Sequence, residues 1–483
     1  MPLRAKLLSQ QQQPQLRTMA SSSVAHFPPA PTDEPEDVLF QSLYGLRTIE
    51  LNRPKKLNAL NGSMIRKIGP RLLEWSKSDM ANVVVMKGAG PRAFCAGGDV
   101  EQLAKWNKTS MNGTRRSATY FGQEYKLDHL IATYNKPYIA FMDGITMGGG
   151  VGLSIHAPFR IATERTMFAM PETTIGFFPD VGASFFLPRM EGFVGTYLAL
   201  TSARLQGPNV FYAGVATHYL HSTSLNALES RLAELKFRDH DDLKTRLGVV
   251  NATIEEFVTG LPYDQPIALA GEVRKAIDRC FRHDSVGEIV KALERERERE
   301  NPVTKGWAEE TLETLHKRSP TSVHVTLKQM RIGAQWDIAE TFRREHSIAT
   351  KFMDYPDFNE GVSAVLIEKT HEPKWEPASL EEFAKEDRTE LVDSFFLEGE
   401  GSKKLELLNG ETYSEYPFAN YGVPTEKEVE EKIAEGKAES RGEVVEYFVR
   451  ARRQKQGVKE LVSEILSRKT RDGEEGLVWV YEE

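Results

Sequence analysis

From Val38 onward the chain alternates apolar and polar positions, breaks at a turn, and alternates again. VLFQSLYG and LRTIELNRP predict a β-hairpin around Tyr44-Gly45, with a period of two in LRTIEL. NGSMIRKIGPRLLEWSKS carries apolar residues at helical spacing, with Asn61 or Ser63 as its cap. VVVMKGAG is a short continuous apolar run closed by glycines, which predicts a buried strand. KPYIAFMDG at 136–144 repeats that logic, and FRIATERTMFAM predicts two more short strands around a turn. Strand and helix therefore alternate through the first half, and the expected class is α/β.

After about Gly214 the periodicity becomes helical, in SLNALESRLAELKF, GEIVKALERERERE, SVHVTLKQM and IAETFRREHSIATKFM. The alternating charges of Glu294–Glu300 predict a solvated helix face. A third region begins at about Asp387, and residues 401–483 hold 14 Lys and Arg against 18 Asp and Glu. Within it Val458, Leu461, Val462, Ile465 and Leu466 form a helical stripe, so a charged, largely helical extension is expected rather than a disordered tail. No internal repeat is evident.

Composition narrows the picture. With 483 residues, 40% of them hydrophobic and 27% charged, the chain has the balance of a soluble globular protein of more than one domain. A net charge of −8 argues against a general nucleic-acid binder. Two cysteines, Cys95 and Cys280, make neither a disulfide framework nor a zinc site. No apolar run is long enough to span a membrane. Residues 1–32 lack Asp and Glu while Arg4, Lys6 and Arg17 supply positive charge, the composition of a mitochondrial transit peptide; a disordered polar tail is the plainer alternative. The expected partition is 1–36 as targeting segment, 37–214 as the core carrying the site, 215–386 as a helical part, and 387–483 as the extension.

Two glycine clusters come directly after strands. GAGPRA at 88–93 formally fits a dinucleotide fingerprint, yet no helical stripe comes after it and no acid ends a second strand downstream, so that assignment is weak. MGGGVGLSIHA at 147–157 predicts a buried helix whose bare N–H groups suit developing negative charge. Helix packing alone explains either cluster; together they suggest a pair of donors. FAMPETTIGFFPDVGASFFL at 168–187 then places Glu172 and Asp180 among Phe177, Phe178, Phe185 and Phe186. Burial of a carboxylate raises its pKa and basicity. For Glu172 the alternative is a structural acid satisfied by backbone donors, and for Asp180 a helix N-cap in PDVGAS. His129, His156 and His218 have no ligand spacing, so no metal is assigned, and Cys95 suits a small buried position.

RPKKLNALN, AFCAGGDV, KPYIAFMDGITMGGGVGL and the Glu172–Asp180 stretch together resemble the crotonase superfamily of acyl-CoA enzymes, the enoyl-CoA hydratase/isomerases. HSIATKFMDYPDFNEGVSAVLIEKTHEPKWEP at 346–377 extends the resemblance, which covers roughly Val38 to Pro377. It implies a spiral of ββα turns followed by a mainly helical part, and an oxyanion hole from the amides of Gly98 and Gly149. It also implies catalytic carboxylates at Glu172 and Asp180, a further pocket acid at Glu124, and contacts from Lys55 and Lys56 to the CoA nucleotide. For Lys55 and Lys56 a plain surface position is the alternative. Hydratases carry a catalytic Glu where this chain has Gly152, while Asp180 is an added acid, so the resemblance points to the hydrolase branch. Its substrate would be a short 3-hydroxyacyl-CoA such as the 3-hydroxyisobutyryl thioester of valine breakdown in the mitochondrial matrix, with no cofactor beyond the CoA of the substrate. Family members also occur in the small subunit of fungal mitochondrial ribosomes, so docking there through the extension is a second expected role. Homo-oligomers are common among relatives; no membrane or sequence-specific nucleic acid partner is expected.

Overall fold

The computed structural model describes residues 26–109, 111–397, 404–436, 440–473 and 476–481. The expected targeting segment falls mostly on residues 1–25, outside the described residues. Two sheets lie at the centre of the fold. Strands β1 (Val38–Leu43) and β2 (Leu46–Leu51) form the expected hairpin. After them come β3 (Val83–Gly88), β4 (Ala93–Cys95), β5 (Tyr138–Met142), β6 (Ile145–Met147), β7 (Phe159–Ala162), β8 (Met167–Ala169), β9 (Leu205–Gln206) and β10 (His218–Tyr219). The larger sheet has the order β1-β2-β3-β5-β7-β10 and the smaller β4-β6-β8-β9.

This strand order makes the chain a spiral. Each of the pairs β3/β4, β5/β6 and β7/β8 contributes its first strand to the large sheet and its second to the small one. Within each sheet these strands run parallel, so every turn must cross back behind through helix or loop. Helix α1 (Gly62–Ser76) begins at Asn61, whose side chain accepts from the Met64 N–H at 2.8 Å, in agreement with the cap signal. Helices α2 (Val100–Thr109) and α3 (Met111–Ala132) come after β4, and α4 (Gly149–Ile155) after β6.

The period of two in LRTIEL is not matched by its burial, because nearly every residue of β2 is buried. The helix Leu225–Ala233 covers the second face of the sheet, where Glu229 accepts from the Thr48 hydroxyl at 2.8 Å and pairs with Lys87 at 2.7 Å. The expected fully solvated face at Glu294–Glu300 has one exception, the buried Glu296, which Arg279 and Arg299 flank. No helix among the described residues is long and apolar enough to cross a membrane.

The extension packs onto the rest of the chain. Its helix Val458–Lys469 buries Val458, Val462, Ile465 and Leu466, four of the five residues of the expected stripe. It also contains a β-hairpin, Thr470–Gly473 with Gly476–Trp479, and a stretch around 404–418 without regular structure.

Candidate active site

Three parallel neighbours in the small sheet, β4, β6 and β8, all end at the same edge. Adjacent strands lie about 4.8 Å apart, so the residues just beyond their ends are held side by side. Gly98 stands beyond β4, Gly148 and Gly149 beyond β6, and Glu172 beyond β8. A Cβ added at Gly149 would meet Glu124 Oε1 at 2.5 Å and the amide nitrogen of Gly98 at 3.4 Å. At Gly148 it would lie 3.1 Å from Glu172 Oε1, and Gly148 has φ +46, a conformation that favours glycine. Gly149 opens α4, so its N–H has no acceptor within the helix. The structure thus brings together Gly98, Gly149, Glu124 and Glu172. GAGPRA leads into β4 and not into a helix, so no dinucleotide cradle forms there.

Asp180 reaches the same place from the loop beyond Glu172. Tyr125 on α3 donates to Asp180 Oδ2 at 2.7 Å. Asp180 does not act as a helix cap through its side chain: the short helix Ala183–Phe186 has Gly182 at its N-cap. That start is held instead by Glu345, from the helix Ile338–Asp354, which accepts from the N–H groups of Gly182 at 2.7 Å and Ser184 at 2.8 Å. On the other side His156 Nε2 bonds the carbonyl of Val181 at 3.0 Å. Val181 has φ +56, an outlier for a β-branched residue that costs about 1–3 kcal/mol and persists only where neighbours enforce it. The turn carrying Asp180 is therefore fixed from both sides.

The surroundings are dry. Glu124, Glu172 and Asp180 are 2%, 5% and 4% exposed. Phe177 stacks on Phe121 at 5.1 Å and Phe178 on Phe352 at 5.4 Å, while Phe185 is buried behind them. Burial first, and then the neighbouring Asp180, push the Glu172 carboxyl well above the usual range. Glu124 is raised for the same two reasons, against a bond from Tyr120. Burial raises Asp180 to about 7, against the hydrogen bond from Tyr125. Glu172 Oε2, Glu124 Oε1 and both oxygens of Asp128 have no hydrogen-bond partner among the described residues. Each such group costs about 1–3 kcal/mol, a burden that a purely structural role does not explain.

A groove of about 700 Å³ opens beside Gly98, lined by Asp99, Leu103, Tyr120, Lys56, Arg53 and Arg116 among others. Lys56 lines it and Lys55 does not; both lie on the exposed turn Pro54–Lys56. Sequence reasoning missed Arg53, Arg66 and Arg116, which also line the groove; Arg53 pairs with Glu34 and Asp99, and Arg66 with Asp33. Arg116 lies over the Trp106 ring at 3.9 Å. Cys95 is buried beside the site, with its thiol pushed up to about 12 by burial. Among the described residues no group of three or more His, Cys, Asp and Glu is arranged to hold a metal ion.

Known proteins resemble this chain in sequence and fold. The family described as Enoyl-CoA hydratase/isomerase matches residues 46–396. The small ribosomal subunit protein mS47 of Neurospora crassa is 59% identical over 97% of this chain and 91% of its own length. The mitochondrial 3-hydroxyisobutyryl-CoA hydrolase of Danio rerio is 44% identical over 71% of this chain and 86% of its own. The crystal structure of a carnitinyl-CoA dehydratase from Mycobacterium thermoresistibile, 33% identical, superposes with a TM-score of 0.65 over 78% of this chain and all of that one. With the family match spanning most of the chain and the fold shared, this protein belongs to the enoyl-CoA hydratase/isomerase family, the crotonase superfamily.

Proposed function

We propose that this chain hydrolyses the thioester of 3-hydroxyisobutyryl-CoA to the free hydroxy acid and CoA, within the mitochondrion. The observation that carries the proposal is the meeting of two glycine amides, Gly98 and Gly149, with Glu172 and Asp180 in one buried site. The activity named for the Danio rerio relative supports it. In this mechanism the amides hold the thioester oxygen as it gains charge; removing one such donor typically costs ~10²–10³ in rate. Glu172, made more basic by burial, attacks the carbonyl carbon to give a mixed anhydride and release the CoA thiolate. Asp180, oriented by Tyr125, directs the water that opens the anhydride and meets the 3-hydroxyl end of the acyl group. Glu124 lines the acyl pocket beside Gly149. The groove at Lys56, Arg53 and Arg116 takes the CoA nucleotide, and the chemistry needs no cofactor beyond the CoA of the substrate.

The test is release of free thiol from 3-hydroxyisobutyryl-CoA by the purified chain, with Glu172→Gln and Asp180→Asn alongside and crotonyl-CoA hydration as the counter-assay. Turnover by the parent chain, reduced at least ~10²-fold in each variant and without hydration, is expected. Turnover only of 3-hydroxypropionyl-CoA or another acyl-CoA moves the substrate and keeps the site.

A second role is favoured by a specific observation. The family match ends at residue 396, yet the similarity to mS47 runs over 97% of the chain and so takes in most of the extension. We infer that the chain is also a constituent of the mitochondrial small ribosomal subunit, docked through residues 387–483. Co-sedimentation with mitochondrial ribosomes in moderate salt is expected; recovery wholly in the soluble fraction sinks this role.

A further inference from the structure

Position 152 of α4 is a glycine, and its bare Cα faces a carboxyl that belongs to another element. A Cβ built there would meet Asp128 Oδ2 at 2.7 Å, Asp128 Cγ at 2.9 Å and the Cβ of Val181 at 2.8 Å. Asp128 thus fills the volume that a side chain at 152 would take, and it does so against the residue next to Asp180. It arrives from α3, one helical turn after Glu124, so both acids project from the same face as neighbours. Tyr125, the phenol that holds Asp180, lies between them in sequence.

Asp128 is fully buried, and neither of its oxygens has a hydrogen-bond partner among the described residues. Nothing on α4, β5 or the Val181 turn compensates it with positive charge. The groups facing it are Glu124 on its own helix, Asp180 on the loop beyond Glu172 and Glu345 on the helix Ile338–Asp354, and it also acts electrostatically on Tyr138 and Cys95. Its dry setting first, and then the neighbouring carboxyls of Glu124, Asp180 and Glu345, push this carboxyl well above the usual range, toward its protonated, neutral form. A packing role would be met by Leu or Asn at far lower cost, so the proton itself needs a purpose.

We propose that Asp128 is a positioning residue of this site, holding a proton that it exchanges with Asp180 and Glu124 during thioester cleavage. The inference rests on the proposed hydrolase mechanism. When the carbon–sulfur bond breaks, the electron pair stays on sulfur and the CoA thiolate takes a proton from the carboxyl cluster. Asp128 refills that position and becomes a carboxylate. The water that opens the acyl-enzyme loses a proton to the cluster, which returns Asp128 to its neutral form. Atoms and charge balance with water as the only co-reactant.

Asp128→Asn keeps the shape and the neutral charge but has no proton to give, and Asp128→Leu removes polarity as well. Both are assayed in the full chain on 3-hydroxyisobutyryl-CoA, as kcat and KM from pH 5 to 9 (roughly the range over which perturbed carboxyls titrate). For Asp128→Asn the expected result is a kcat at least ~10-fold lower with KM within ~2-fold, a changed pH profile of kcat, and a thermal midpoint no lower than the parent. Asp128→Leu is expected to be as slow and at least as stable. An Asp128→Asn chain with the parent's kcat and pH profile overturns the proposal and makes Asp128 a spacer. If that variant does not fold, Asp128→Leu decides: a folded Asp128→Leu chain with the parent's kcat and pH profile overturns the proposal. A parent chain that releases no thiol removes the hydrolase mechanism itself, which is a different outcome from equal rates in parent and variant.

Discussion

At the scale of single residues the site is a balance of carboxyls kept from water, and Asp180 is the member whose ionisation falls near neutrality. Its acid is raised to about 7 in the folded chain, against about 3.9 when unfolded. Between those values the folded state holds more protons, so this group favours folding below about pH 4 and loses that contribution as pH climbs to about 7. Activity runs the other way, because the water-directing role needs the carboxylate. The rate of thiol release is expected to rise through about pH 7, while urea denaturation shows the chain less stable at pH 8 than at pH 5. Asp180→Asn is expected to flatten that stability difference and raise stability at pH 8 by about 1–2 kcal/mol, at the expense of turnover. An unchanged difference between the two pH values would show that Asp180 is not the group responsible.

The same scale separates residues legible in the sequence from those that are not. Gly98 and the choice of Gly149 rest on the family resemblance. Glu172 and Asp180 announce themselves because acids among phenylalanines are locally anomalous, and the glycine cluster at 147–157 because it comes after an apolar strand. Asp128 and Glu345 do not, since YKLDHL and FRREHSIATKF look like polar positions on ordinary amphipathic helices. Only the fold turns those positions inward, and their partners lie on other elements: Asp128 against Gly152 and Val181, Glu345 against Gly182 and Ser184. Arg53 and Arg66 are equally silent, because their neighbours Glu34 and Asp33 sit in a segment that no helical or strand period marks.

At the scale of elements, the small sheet sets the spacing of the donors and the turn before Ala183–Phe186 sets Asp180. Glu345 is central to the second. Burial raises its carboxyl to about 8, against the two N–H groups it accepts from, so near neutral pH it holds the turn largely as a neutral acid. Glu345→Gln keeps the volume but offers one acceptor oxygen where two are used, leaving one N–H of the turn facing an amide NH₂. A loss of about 1–3 kcal/mol in stability is expected. The Val181 outlier relaxes with it, displacing Asp180, so kcat should fall ~10-fold or more while KM for the CoA thioester changes little. Thermal unfolding and steady-state kinetics on one preparation check both. A variant with the parent's stability and kcat would show that this clamp does not set Asp180. The period of two in LRTIEL shows the limit of element prediction: it marks a strand correctly, yet the helix Leu225–Ala233 buries both faces.

At the scale of the whole molecule, the extension is bound into the part that carries the site. Tyr413 stands edge-on to Phe185 at 5.3 Å, and its carbonyl accepts from the Ile338 N–H at 3.0 Å, at the start of the Glu345 helix. The Glu411 carbonyl meets His129 on α3 at 2.9 Å, and Tyr421 packs on Phe159 of β7 at 5.0 Å. Further along, Lys455 pairs with Glu255 at 2.6 Å and Glu426 with Arg274 at 2.8 Å. Cutting the chain after residue 386 would expose Phe185, Phe159 and the back of α3 together and leave Arg274 and Glu255 without these partners. Arg274 keeps Asp278 and Glu255 keeps His218, so the larger loss is the apolar cover over Phe185, Phe159 and α3. The truncated chain is therefore expected to aggregate without turnover, even though the family match ends at 396. For the proposed docking to a ribosome, the exposed Glu446 and Arg450 on the helix Arg441–Ala451 offer an outward face of the extension. Glu446→Lys with Arg450→Glu reverses both charges on that face far from the carboxyls. Thiol release is expected to stay at the parent level while co-sedimentation with mitochondrial ribosomes falls at least ~10-fold, since rim charges act on association. Loss of thiol release with co-sedimentation intact would mean that this face serves the enzyme and not the ribosome.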